Sequence, residues 1–106
     1  MKLISREELK QKLDRGDDFK LVMTLGDWAF RARHIPGSLN LSHMNDVENL
    51  LSPQDEIVVY CSDPTCIASQ AAYHFLTKKG YENVRRFAGG LAEWDAAGYS
   101  LEGDGI

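Results

Sequence analysis

Apolar positions along this chain follow two rhythms, one helical and one extended. Leu9 and Leu13 stand a helical turn apart, behind Ser5 and Glu8 at the spacing of a capping box, and Gly16 closes the segment. Residues 19–24 (FKLVMT) form a short continuous apolar run of the kind that makes a buried strand. Gly26 and Asp27 open a segment over 28–32 long enough for one or two helical turns. His34-Ile35-Pro36-Gly37-Ser38 reads as a turn, because Pro36 followed by Gly37 suits type II geometry. A brief strand is expected at 39–41 and a small helix at 45–51, broken by Ser52-Pro53. The clearest strand is Ile57-Val58-Val59-Tyr60, which runs straight into Cys61. Beyond it Ala68, Ala71, Ala72, Phe75, Leu76 and Lys79 trace a helical face ended by Gly80. A strand at 84–87, the pair Gly89-Gly90 and a last helix at 91–97, stopped by Gly98, complete the pattern.

Alternation of strand and helix at these lengths predicts an α/β fold with a mostly parallel central sheet and helices on both faces. A chain of 106 residues suits one domain over 1–106. In such sheets ligands gather beyond the carboxyl ends of the strands, and Cys61 sits at one of those ends.

Composition narrows the function classes. Hydrophobic residues make up 43% and charged residues 26% of the chain, an ordinary globular balance. The formal charge of −4 argues against nucleic acid or an anionic membrane as the main partner, since both require a basic footprint. No apolar run is long enough to span a bilayer, and the first residues carry acids where a signal peptide would be apolar, so a cytoplasmic location is expected. The two cysteines, Cys61 and Cys66, are too close in sequence for a disulfide scaffold, and in a reducing compartment they read as reactive thiols or half a metal site. No second cysteine pair exists and His34, His43 and His74 form no ligand pattern, so no metal and no cofactor are expected.

The chemistry therefore concentrates in the segment from Cys61 through Ser62, Asp63, Pro64, Thr65 and Cys66. A turn that leads from a strand into a helix aims successive backbone N–H groups inward as an anion nest, and the helix terminus adds partial positive charge. Both effects favour a thiolate at Cys61 and would lower its pKa, and the backbone of residues 62–66 would bind the anion. The competing reading of Cys61 is a small buried hydrophobe that continues the strand. Cys66 is expected to start the helix as a packing or capping neighbour, with a resolving role as the alternative. Asp63 is expected to point outward, away from an anion cradle. Trp28 and Trp94 are expected in the core or at its rim, and the charges over residues 6–12 and at Lys78-Lys79 on solvated faces. Arg33 and Arg85 are candidate anion contacts.

Taken in order, His34-Ile35-Pro36-Gly37-Ser38-Leu39-Asn40, Ile57-Val58-Val59-Tyr60-Cys61, Gly80-Tyr81-Glu82-Asn83-Val84, Gly89-Gly90-Leu91-Ala92-Glu93-Trp94 and Ala97-Gly98-Tyr99 resemble the rhodanese family of sulfurtransferases along nearly the whole chain. The resemblance implies that Cys61 accepts a sulfane sulfur as a persulfide and passes it to a thiol or to cyanide. The expected partners are a small sulfur donor or a protein persulfide and a thiol acceptor. Three positions depart from the family pattern. Met23-Thr24-Leu25 stands where many members have an aspartate and then an arginine, and Arg33 stands where many have glycine. Cys66 occupies the position, five residues after the nucleophile, at which active members often carry Arg or Lys, and the loop is one residue longer. Two other classes compete: a catalytically silent module that binds a partner or senses redox state, and a cysteine phosphatase or arsenate reductase. The last needs an arginine to grip oxyanions bidentately, and none occurs between Cys61 and Gly80.

Overall fold

The computed structural model describes residues 1–105. Its elements, in chain order, are α1 (Arg6–Arg15), β1 (Lys20–Met23), α2 (Asp27–Ala32), β2 (Leu39–Asn40), a 3₁₀ turn (Met44–Asp46), α3 (Val47–Leu50), β3 (Ile57–Tyr60), α4 (Ala68–Lys78), β4 (Val84–Arg86) and α5 (Gly90–Ala96). The strands form one sheet in the order β2-β1-β3-β4, with every pair parallel. The expected α/β architecture, with a parallel sheet covered on both faces, is what the chain adopts.

The strand residues divide between the faces with the period of two that pleating requires. Val22, Ile57, Val59 and Val84 face one side and pack with Leu41, Val47, Leu51, Ala72, Tyr73, Leu76 and Tyr81. Leu21, Met23, Val58 and Tyr60 face the other and pack with Ile4, Leu9, Ile35, Phe87, Leu91 and Trp94. Helices α3 and α4 therefore cover one face, and α1 and α5 the other. Because β3 lies inside the sheet between β1 and β4, all four of its residues are buried, which is why the sequence there is apolar without alternation.

Local signals behave as the chain chemistry requires. Ser5 Oγ accepts the Glu8 amide at 3.1 Å, and Gly16 closes α1 at φ 72°. The reciprocal half of the capping box is absent, because the Glu8 carboxylate is drawn to Arg85 at 2.7 Å instead. The Pro36-Gly37 turn forms as expected, with Gly37 at φ 85° and the Ser38 amide bonded to the Ile35 carbonyl at 3.1 Å.

Several expectations are corrected. Lys12 does not lie on a solvated face; it is buried, paired with Glu56 and 3.6 Å from Asp17. The buried face of α4 runs through Ser69, Ala72, Tyr73 and Leu76, while Ala71 is exposed. Trp94 is core, but Trp28 is 74% exposed. No helix among the described residues is long and apolar enough to cross a membrane.

Tyr60 joins the sheet to the Pro36-Gly37 turn. Its ring belongs to the α1/α5 face, and its hydroxyl accepts the Ile35 amide at 3.0 Å and shares a proton with Ser38 Oγ at 2.9 Å. Burial pushes the phenol up to about 12, against a partial offset from the two hydrogen bonds. The neutral phenol is therefore stabilised by folding. The contribution is present in full below the ordinary tyrosine value near pH 10 and is lost as pH climbs toward 12, roughly 3 kcal/mol in all. Denaturant unfolding between those pH values should show this loss, and a Tyr60→Phe variant should flatten the alkaline limb.

Candidate functional site

The carboxyl end of β3 delivers Cys61 into a loop whose main chain is tied down from outside. The Tyr60 carbonyl accepts both the amide and the hydroxyl of Thr24, at 3.1 and 3.2 Å. The Cys61 and Ser62 carbonyls accept the amides of Leu91 and Ala92, in the first turn of α5, at 3.0 and 2.8 Å. Helix amides that would otherwise lack partners thus hold the first half of the loop. The contact is close enough that only glycine fits at its centre. Gly90 has φ 61°, and a Cβ there would collide with the Cys61 carbonyl oxygen. The Gly89-Gly90 pair is therefore a seat for the cysteine loop as well as a helix start.

The second half of the loop is organised by itself. Asp63-Pro64-Thr65-Cys66 closes a turn through the Cys66 amide to the Asp63 carbonyl at 3.1 Å, with proline at the second position where its fixed φ belongs. The Asp63 carboxylate accepts the Thr65 hydroxyl and amide at 2.6 and 2.9 Å. These two bonds, led by the hydroxyl and assisted by the Cys66 amide, hold the Asp63 carboxyl below the usual carboxylate range. Asp63 lies on the exposed side of the loop, as expected, and its carboxylate is bonded to Thr65 of the same turn.

Cys61 and Cys66 are joined by a disulfide, with their Cα atoms 6.5 Å apart. This corrects the expectation that Cys66 is a packing or capping residue at the start of the helix. Helix α4 begins two residues later, at Ala68, with Ile67 before it. Cys61 is 1% exposed, whereas Cys66 is partly exposed.

The two candidate arginines are engaged elsewhere. Arg85 binds Glu8 at 2.7 Å on the α1 face, and that carboxylate raises the guanidinium pKa further. Arg33 lies 3.6 Å from Asp95. The buried cation on the α4 face is Arg86. It pairs in register with Val59, is 6% exposed, and donates from Nε to Ser69 Oγ at 2.8 Å in the first turn of α4. Its Nη2 is buried with no hydrogen-bond partner among the described residues. The sequence held the signal for this. In a three-residue strand covered on both faces, Arg85 and Arg86 must point to opposite sides, and the one in phase with Val84 faces α4. The histidines stay outside the loop's bonding. His34 stacks on Phe30 at 4.0 Å and contacts its carbonyl through Nδ1 at 2.7 Å, while His43 and His74 are exposed.

Comparison with known proteins matches this architecture. The family model for the rhodanese-like domain matches residues 5–97, and the chain belongs to that family. A thiosulfate sulfurtransferase GlpE of Pseudoalteromonas translucida (strain TAC 125) is 32% identical over 71 residues, which cover 65% of this chain and 66%, just under two thirds, of that protein. The rhodanese-like domain of the Alr3790 protein from Anabaena sp. superposes with a TM-score of 0.87 at 26% identity, over 99% of this chain and 81% of that one. A thiosulfate sulfurtransferase from Pseudomonas aeruginosa shares the fold at a TM-score of 0.82 and 22% identity, over 98% of this chain and 20% of that one.

The seat at Gly90 can be separated from backbone strain alone. Gly90→Ala should lower stability by roughly 1–3 kcal/mol from its positive φ, and further from the collision with the loop. Gly98→Ala meets the same kind of φ, 80°, with nothing within 4 Å of the new Cβ. Urea midpoints should place Gly90→Ala clearly below Gly98→Ala; equal costs would mean that the loop yields freely.

Proposed function

We propose that this protein is a sulfurtransferase or sulfur carrier in which Cys61, once reduced, takes up a sulfane sulfur as a persulfide and hands it to a thiol or to cyanide. The observation that carries the reading is the position of Cys61, in a rhodanese-like domain, at the carboxyl end of the central strand with its loop held by α5. Membership of the family, and a relative named as a thiosulfate sulfurtransferase, support the reaction class.

In the reduced state Cys61 attacks the terminal sulfur of the donor. The donor's S–S bond breaks, its remainder leaves with the electron pair, and the added sulfur stays on Cys61. An acceptor nucleophile then attacks that outer sulfur and the Cys61 thiolate leaves. The α5 contacts at the Cys61 and Ser62 carbonyls fix the thiol's position through both steps, so that little ordering remains to be done when the donor arrives. Arg86 brings a buried positive charge to the first turn of α4, the helix that the loop enters. A cytoplasmic setting fits a cysteine pair that is opened and closed in use.

The donor class follows from the charges. Thiosulfate is a dianion and needs a cation as well as backbone donors. Position 66 supplies a cysteine, Arg33 and Arg85 are paired with carboxylates, and the Thr65 amide is occupied by Asp63. A protein persulfide or an organic polysulfide, neither of which carries the second charge of thiosulfate, is the better donor.

Two measurements check this reading. Intact mass of reduced Cys66→Ser protein after polysulfide treatment should show one added sulfur on Cys61, and none when Cys61→Ser is added; absence of the adduct in a reduced, folded Cys66→Ser sample would remove the transfer function. Cyanide-dependent turnover of thiosulfate should rise about ten- to a hundredfold in Cys66→Arg relative to Cys66→Ser, the scale of one charge-assisted contact. High activity with thiosulfate in both variants would show that another cation already fills the role.

A further inference from the structure

We infer that Cys66 is a resolving cysteine that discharges the Cys61 persulfide within the same loop, releasing hydrosulfide and leaving the Cys61–Cys66 disulfide. The inference rests on the sulfur-carrier reading of Cys61 and adds to it an acceptor that belongs to the chain itself.

Three observations carry it. The two sulfurs are bonded in the folded chain, at a Cα separation of 6.5 Å that falls within the range disulfides adopt. The approach is built by local bonds that do not involve sulfur. The Asp63-Pro64-Thr65-Cys66 turn, its amide closure and the Asp63 carboxylate on Thr65 bring Cys66 back toward β3. Each of these bonds can form equally with the thiols reduced. Finally, the Cys61 and Ser62 carbonyls are held by the Leu91 and Ala92 amides, while among the described residues the Cys66 amide is held by its own turn. The attacking residue therefore sits on the turn with local support, and the residue that carries sulfur sits where a second element holds the main chain.

The reaction balances with no added oxidant. The Cys66 thiolate attacks the Sγ of Cys61 in the persulfide. The bond between Cys61 Sγ and the outer sulfur breaks, and that sulfur leaves with the electron pair as hydrosulfide. One S–S bond has formed and one has broken, and the sulfane sulfur has been reduced at the expense of the two thiols. The cycle reopens through a dithiol reductant. Its first thiolate attacks the more exposed Cys66 sulfur, Cys61 leaves as the thiolate, and the reductant's second thiol resolves the mixed disulfide to release Cys66. With both partners in one loop, persulfide discharge is unimolecular and outpaces attack by dilute external thiols.

The test uses the reduced 106-residue chain loaded with inorganic polysulfide, freed of donor by rapid desalting, and followed by intact mass and by sulfide release. Wild type should lose the added sulfur by first-order decay, at a rate independent of protein concentration. One sulfide should appear per chain as the product two protons lighter than the dithiol accumulates. In Cys66→Ser and Cys66→Ala the added sulfur should persist at least about tenfold longer, with no prompt sulfide. Equal persulfide lifetimes in wild type and both variants would overturn the resolving role while leaving Cys61 as a sulfur carrier. Decay that accelerates with protein concentration would overturn it as well, since sulfur would then be leaving between molecules. Failure of Cys66→Ser and Cys66→Ala to take up any sulfur, with each variant unfolding cooperatively, would overturn the sulfur-carrier reading itself.

Discussion

Three consecutive carbonyls at the end of β3 set the geometry on which the rest of the site depends. Tyr60 ends β3 and Cys61 and Ser62 lie beyond it, where the regular ladder stops. Each finds a donor from another element: Thr24 after β1, then Leu91 and Ala92 at the start of α5. Buried carbonyls left without partners would be costly, so these bonds oblige β1, β3 and α5 to converge at one point. Gly90 exists in the only form that permits the approach, with no Cβ and a positive φ. The chain departs here from the family's usual aspartate and arginine after the first strand. Thr24 occupies that segment and acts through its bonds to the Tyr60 carbonyl rather than through charge.

From that anchored start the loop becomes progressively more local in its support. Residues 63–66 are held by a turn and by one carboxylate, all within four residues of sequence. This division has a chemical consequence. An anchored cysteine is well placed to receive and hold a group, and a cysteine on a self-supporting turn is well placed to approach it. The same Asp63 that shapes the turn also takes up the Thr65 amide and hydroxyl.

The charges around the site follow from the two-faced sheet. Arg85 and Arg86 are adjacent in sequence but lie on opposite faces, one joined to Glu8 on α1 and the other to Ser69 on α4. Only the second reaches the helix that the cysteine loop enters. Its buried guanidinium is an unusual residue to place in a core and is stabilised there by the Ser69 hydroxyl on one side.

Much of the fold was legible because its signals are short-range. The run Ile57–Tyr60 is β-branched and apolar and reads as a strand; Ser5, Gly16 and Pro36-Gly37 set local dihedrals that the folded chain keeps. The family resemblance rested on such segments, and so did the choice of Cys61. Legibility ended where a residue's role depends on what another element brings to it. Lys12 looked like one charge among several on an open helix face, and it is buried because Glu56 comes to meet it from before β3. Ala71 looked like part of an apolar stripe, and it is exposed because the sheet lies under Ser69, Ala72 and Tyr73. Cys66 followed Asp63-Pro64-Thr65, which already spells a turn. Whether that turn closes on Cys61 or leads directly into a helix was settled by where β3 ends, where α4 begins and how firmly α5 holds the loop between them. Local dihedral preferences are properties of a few residues and can be read from them; distances between distant segments are set by packing, and only the folded chain fixes those.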